Sequence, residues 1–185
     1  MTISINVLPG VGAEILGVDI AGGLDSVELE TIQQTFSQYG LVFFRDQQMS
    51  ETDHINLAGR FGDINVNRFF SSHPDYPQIA MVSKEPDQTA NIGGGWHTDH
   101  SYDHEPALGS ILVAKELPAS GGDTWFTSMY KAYDNLSDGL KETLEGLSAV
   151  HSAKHVFGPQ GGYDTGGSAE GRIGNAGATL ELEDP

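Results

Sequence analysis

The sequence predicts a mixed α+β protein organised as one domain over residues 1–185. Three observations carry that prediction. Residues 3–8 and 14–19 alternate apolar and polar, the period of strands buried on one face. From Asp25 to Tyr39, Val27, Leu29, Ile32 and Phe36 recur at helical spacing. The 24 glycines mark a chain rich in turns, and 185 residues are enough to enclose one well-buried core.

Each element has a local reason. The two alternating stretches read as a hairpin turned at Gly10 and Gly12. Asp25 and Glu28 have capping-box spacing at the start of the helix, and Gly40 stops it. Leu41-Val42-Phe43-Phe44 is a short apolar run with the character of a buried strand. A second helix is expected to open at Ser50, with Asp53 three residues on, and to close near Gly62. Residues 77–83 read as a strand, and Glu85 to Gly95 as a polar, glycine-rich surface loop. Further strands are expected at Trp96 to Tyr102, Gly109 to Ala114 and Thr124 to Thr127, with strong turn chemistry from Leu117 to Asp123. A helix over 128–149 would carry Leu136, Leu140, Leu144 and Leu147 as its apolar stripe. Beyond Phe157 glycine becomes dense and periodicity fades, so the domain reads as interrupted at its C-terminal end.

Charge and composition exclude several functions. A formal net charge of −17 with only nine Lys and Arg residues cannot replace the counterions of a phosphate backbone, so nucleic acid is not an expected partner. The same acidity weakens attraction to anionic membranes. With no cysteine, disulfides, zinc-thiolate sites and thiol nucleophiles are out, and a metal would need imidazole, carboxylate, carbonyl or water. The N-terminus lacks a basic, then apolar, leader and no run approaches a transmembrane span, so a cytoplasmic protein is expected. In that setting the sequon Asn135-Leu136-Ser137 reads as chance.

The segment Trp96-His97-Thr98-Asp99-His100 carries the chemistry. On a strand, residues two apart share a face, so His97 and Asp99 would present an imidazole and a carboxylate side by side. A third ligand from a distant segment would complete a facial triad of the kind that holds Fe(II) and leaves positions open. His-x-Asp alone is common; the plainer alternative is a core histidine followed by a turn-forming aspartate. A hydrolase site using His97, His100 and His104 is geometrically poor, because His100 would face away from His97 on a strand.

Trp96-His97-Thr98-Asp99, Gly109-Ser110-Ile111-Leu112, Lys115-Glu116-Leu117-Pro118 and Gly121-Gly122-Asp123-Thr124 together resemble the taurine dioxygenase (TauD/TfdA) family. The resemblance runs from about Leu41 to Phe157 and includes Arg60-Phe61-Gly62-Asp63. It implies a double-stranded β-helix (jelly-roll, cupin-like) core with flanking helices, incomplete at the C-terminus. It implies an Fe(II)- and 2-oxoglutarate-dependent dioxygenase that uses O2 to hydroxylate a small organic substrate, yielding succinate and CO2. Carried over by position, His97 and Asp99 match two iron ligands, and Thr124 matches a threonine that bonds a carboxylate of 2-oxoglutarate.

Asn67, Phe70, His100 and Phe157 align with the family's sulfonate pocket. Asn67 stands where taurine-specific members carry histidine, and Gly93 where they carry asparagine. Those losses of polar contact turn the expectation from taurine itself towards another sulfonate or small anion. Trp96 and Tyr102 read as support for the metal strand, and Arg68 as a surface residue. The family's second histidine ligand and its 2-oxoglutarate-binding arginine match nothing here, Arg172, His151 and His155 included, and are expected beyond Pro185. An incomplete jelly-roll should expose apolar surface and unpaired strand edges. The competing reading is a non-catalytic jelly-roll binding module or an inactive fragment. Homo-oligomers are common in the family.

Overall fold

A computed structural model describes residues 2–67, 70–86 and 93–154. Arg68, His155, Phe157 and Arg172 lie outside the described residues. The chain's contacts gather into two compact units, one formed by Met1–Leu57 with Leu112–Ser148, the other by Ala58–Ile111 with Ala149–Pro185.

The first unit is built on a three-stranded sheet of order β1-β2-β3. β1 (Ser4–Val7) runs antiparallel to β2 (Ala13–Leu16), with Ser4 opposite Leu16 and Val7 opposite Ala13. β3 (Val42–Phe43) is parallel to β2, with Ala13 opposite Val42. Parallel neighbours need a crossover, and α1 (Ser26–Tyr39) supplies it and packs on both strands. The alternation foreseen in β2 is present: Ala13 and Ile15 are buried while Leu16 is exposed. Gly12 joins the turn to β2 at φ +92, and a Cβ there would meet the Leu41 side chain at 3.0 Å.

α1 forms as expected. The Asp25 carboxylate accepts from the Val27 and Glu28 amides at 2.8 Å, and Glu28 accepts from the Asp25 amide at 3.0 Å. Gly40, at φ +72, closes the helix by donating its N–H to the Phe36 carbonyl. Ile32 and Thr35 are the buried residues of α1, and the Thr35 hydroxyl is satisfied by the Thr31 carbonyl at 2.7 Å.

α2 (Glu51–Gly59) opens where Ser50 and Asp53 foretold and buries Leu57. The Asp53 carboxylate accepts from the Ser50 hydroxyl at 2.6 Å and the Ser50 amide at 2.9 Å. Those two bonds, hydroxyl first, hold the Asp53 carboxyl below its ordinary pKa, against a smaller opposing effect of desolvation. Lys115 reaches back to the start of α2, bonding the Met49 carbonyl at 3.1 Å and Glu51 at 2.9 Å.

The helix expected over 128–149 is two helices, α3 (Met129–Asp134) and α4 (Asp138–Leu144). Asn135 caps the first, and the Ser137 hydroxyl accepts from the Leu140 amide to open the second. Asparagine and serine satisfy terminal backbone groups better than interior ones, so the local chemistry breaks the run. The Lys131 ammonium donates to the Gly10 carbonyl, tying α3 to the hairpin turn.

The second unit carries a short antiparallel bridge, Ser72 to Ala80, in place of a full strand over 77–83. The strands expected at 96–102, 109–114 and 124–127 do not form. A strand exists only through its neighbour's N–H and C=O groups, and none of the three has a ladder partner among the described residues. Local bonding takes over instead: the Asp103 amide donates to the His100 carbonyl at 3.0 Å, and His100 sits at φ +55, which ends any extended run. Mixed α and β structure is present, and the described strands make one small sheet rather than a barrel. Trp96, Leu112, Trp125, Tyr130 and Val150 are all largely exposed, in line with the apolar surface anticipated.

Candidate metal centre

His97 and Asp99 lie in the second unit, on an irregular segment that bends from Asp99 and takes the place of the expected strand. They are nevertheless side by side: His97 Nε2 is 3.5 Å from Asp99 Oδ1. The pleat is not what brings them together. The His97 Nδ1 nitrogen lies 2.7 Å from the Gly95 carbonyl oxygen. A carbonyl can only accept, so Nδ1 is the donor of that bond and Nε2 is the ring nitrogen that faces Asp99. Metal-binding histidines are held in this way by a second partner on the far nitrogen.

Asp99 divides its oxygens. Oδ1 faces His97, and Oδ2 accepts a long hydrogen bond from the Ser110 hydroxyl at 3.4 Å. Both side chains are more than half exposed, 56% and 62%, so an ion could reach them. Two donors about 2.1 Å from one ion and at right angles lie about 3.0 Å apart, so a small inward movement would let both bind. The donor set, one imidazole nitrogen and one carboxylate oxygen, suits Fe(II) with open positions. No group of three His, Asp or Glu able to hold a metal occurs among the described residues. His151, also described, is exposed.

Gly93 borders this pair at φ +68. A Cβ there would come within 3.0 Å of His97 Cε1 and 3.6 Å of Nε2, so glycine leaves the imidazole edge uncrowded. His100 is turned elsewhere: its Nδ1 lies 2.8 Å from Asp103 Oδ2, with both side chains mostly buried. Asn67 uses its carboxamide oxygen locally, accepting from the Phe70 amide at 3.1 Å. Thr124 belongs to the first unit, exposed on the segment between the Gly121-Gly122 turn and α3. Both glycines of that turn are left-handed, at φ +77 and +76. Phe157 lies outside the described residues. Sequence reasoning missed Gly95, Asp103 and Ser110. Gly95 acts through its backbone and so leaves no side-chain signal; Asp103, three residues after His100, was the one with a readable spacing.

The family description "Taurine catabolism dioxygenase TauD, TfdA family" matches residues 4–179. The chain belongs to the TauD/TfdA family. Its relatives include pentalenolactone F synthase of Streptomyces avermitilis, 34% identical over 81% of this chain and 53% of that protein. Another is the alpha-ketoglutarate-dependent sulfonate dioxygenase of Saccharomyces cerevisiae, 31% identical over 80% of this chain and 38% of that protein. Among solved structures, a taurine dioxygenase from Burkholderia xenovorans superposes with a TM-score of 0.72 at 31% identity, covering 81% of this chain and 53% of that one. AAD-2, in complex with Mn(II) and N-oxalylglycine, gives a TM-score of 0.66 at 25% identity over 84% of this chain and 55% of that one. This TauD/TfdA chain thus spans at most about half the length of these relatives.

Proposed function

We propose that this chain provides His97 and Asp99 as iron ligands in a 2-oxoglutarate-dependent dioxygenase that hydroxylates a small organic anion. The observation that carries the reading is the 3.5 Å approach of His97 Nε2 to Asp99 Oδ1, with Nδ1 on the opposite side of the ring engaged by the Gly95 carbonyl. Family membership supports the cosubstrate, and AAD-2 was crystallised with N-oxalylglycine, an analogue of 2-oxoglutarate. The same likenesses favour a jelly-roll core and a single domain, because the family match runs through both compact units.

In this reading each residue has a task. Gly95 engages Nδ1 of the histidine, and Ser110 restrains the Asp99 oxygen that faces away from His97. The Thr124 hydroxyl donates to a carboxylate of 2-oxoglutarate without adding charge. The family resemblance alone assigns Asn67, Phe70, His100 and Phe157 to the substrate side. Bound iron, with 2-oxoglutarate and O2, would supply the oxidation, one oxygen atom entering succinate and the other the substrate. The protein's share is to place the target bond near the metal and keep bulk water away.

Relatives named for sulfonate, sulfate-ester and 2,4-dichlorophenoxyacetate dioxygenases share a small anionic substrate, which supports that class here. Asn67 and Gly93 count against taurine within it. Those relatives are enzymes, which favours the catalytic reading over a binding module. The described residues include no helix long and apolar enough to cross a membrane, and a cytoplasmic enzyme is the reading that fits the composition.

The test is anaerobic titration of Fe(II) and 2-oxoglutarate into the product of the complete reading frame that carries this sequence. A visible metal-to-ligand charge-transfer band is expected, lost in His97→Ala and in Asp99→Ala. A band that survives both substitutions would refute the ligand assignment.

A further inference from the structure

One edge of the His97 imidazole carries both ring nitrogens with Cε1 between them, and each of the three atoms has its own neighbour. Nδ1 lies 2.7 Å from the Gly95 carbonyl oxygen, and Nε2 lies 3.5 Å from Asp99 Oδ1. In front of Cε1 stands Gly93, in left-handed backbone at φ +68. A Cβ at Gly93 would sit 3.0 Å from Cε1 and 3.6 Å from Nε2. The space along this edge therefore exists because residue 93 has no side chain.

The magnitudes show where a side chain at 93 would do its damage. Carbon atoms in ordinary contact are about 3.5–4.0 Å apart, so a Cβ 3.0 Å from Cε1 has to move something by a few tenths of an ångström. The His97 side chain is 56% exposed, so the ring gives way rather than the fold. Because the ring is rigid, a shift at Cε1 is shared by the nitrogens on either side of it. Metal–ligand distances hold to about 0.2 Å, a narrower margin than that shift. Binding one ion also requires Nε2 and Oδ1 to close from 3.5 Å to about 3.0 Å, a movement that needs room on the same edge. At Gly12, by contrast, the added Cβ would meet Leu41, which is not a ligand.

We infer that Gly93 is a positioning residue: by lacking a side chain it keeps the nitrogen-bearing edge of His97 free to settle between the Gly95 carbonyl and Asp99. The inference rests on the metal-centre reading and adds to it a residue that offers the ion no donor atom.

The test is Mn(II) affinity, read from the electron paramagnetic resonance signal of the free ion, on the product of the complete reading frame. Gly93→Ala and Gly93→Asn should each weaken binding by about tenfold, the lower end for residues behind a ligand. Asparagine enters left-handed backbone more readily than alanine but brings the same Cβ, so it separates crowding from backbone strain. Gly23→Ala is the control for strain alone: Gly23 belongs to the first unit, at φ +90, and a Cβ there meets nothing within 4 Å. It should lower Tm yet leave Mn(II) affinity within about twofold of the parent. Parent-like affinity in both Gly93 variants would overturn the inference. So would a loss confined to Gly93→Ala, which would make strain the cause, or an equal loss in Gly23→Ala. If Gly93→Ala does not fold, Gly93→Asn decides alone, a tenfold loss supporting the inference and parent-like binding ending it. His97→Ala and Asp99→Ala, run alongside, separate the two ideas: if they bind as the parent does, the metal centre itself is misassigned, whereas if they alone lose Mn(II), only the role of Gly93 fails.

Discussion

Gly12→Ala should destabilise the protein strongly, and Gly10→Ala, two residues away, should not. At Gly12 the backbone is left-handed, at φ +92, and an added Cβ would meet Leu41 Cβ and Cδ2 at 3.0 Å. At Gly10 an added Cβ meets nothing within 4 Å. The conformational penalty for alanine at Gly12 is about 1–2 kcal/mol. Pressing a methyl group into Leu41 adds about 1–3 kcal/mol, because Leu41 cannot retreat while its carbonyl holds the Ala13 amide at 2.9 Å. The sum is about 2–5 kcal/mol, which for a chain of this size lowers Tm by roughly 4–20 °C. Thermal unfolding followed by far-ultraviolet circular dichroism would measure it for both variants. Equal melting temperatures for Gly12→Ala and Gly10→Ala would refute the reasoning, since the two differ only in backbone conformation and in what the new methyl group meets.

Three further outcomes are expected. Asp25→Ala removes the acceptor of two α1 amides and should cost about 1 kcal/mol, and a double-mutant cycle with Glu28→Ala should show that the two losses are not additive. Because the Asp53 carboxyl is held below its ordinary value, its contribution is complete above the unfolded pKa of about 3.9 and fades as pH falls through the lower folded value. Acid titration of helicity should therefore show loss below about pH 4, and Asp53→Asn should flatten that limb. Ser110→Ala should weaken Mn(II) binding by at most about tenfold, the low end for a residue behind a ligand, because its bond to Asp99 is long at 3.4 Å; isothermal titration would detect it.

The parts of this fold readable from sequence are those whose causes are local. Asp25, Glu28 and Gly40 act within a turn or so of chain, so the ends of α1 could be placed in advance. Ser50 and Asp53 did the same for the start of α2. The segments 96–102, 109–114 and 124–127 failed for the opposite reason: alternation shows that a stretch could line a sheet but cannot supply the neighbouring strand. The His97–Asp99 proximity was expected from a pleat and arises on irregular chain that bends at Asp99. The outcome is the same because two residues apart are neighbours in either geometry. Ser110 lies eleven residues from Asp99, and nothing in the order of residues joins the two.

The lysine contacts of the first unit set a timetable for its synthesis. Lys115 closes on Met49 across 66 residues, and Lys131 on Gly10 across 121. A ribosome adding about 5–20 residues per second needs roughly 3–13 s to pass from the first of each pair to the second in the shorter case, and about 6–24 s in the longer. During that interval the hairpin turn and the start of α2 exist without the cations that later fasten them. Over that interval the nascent sheet must hold by its own hydrogen bonds and by the burial of Ala13, Ile15 and Ile32.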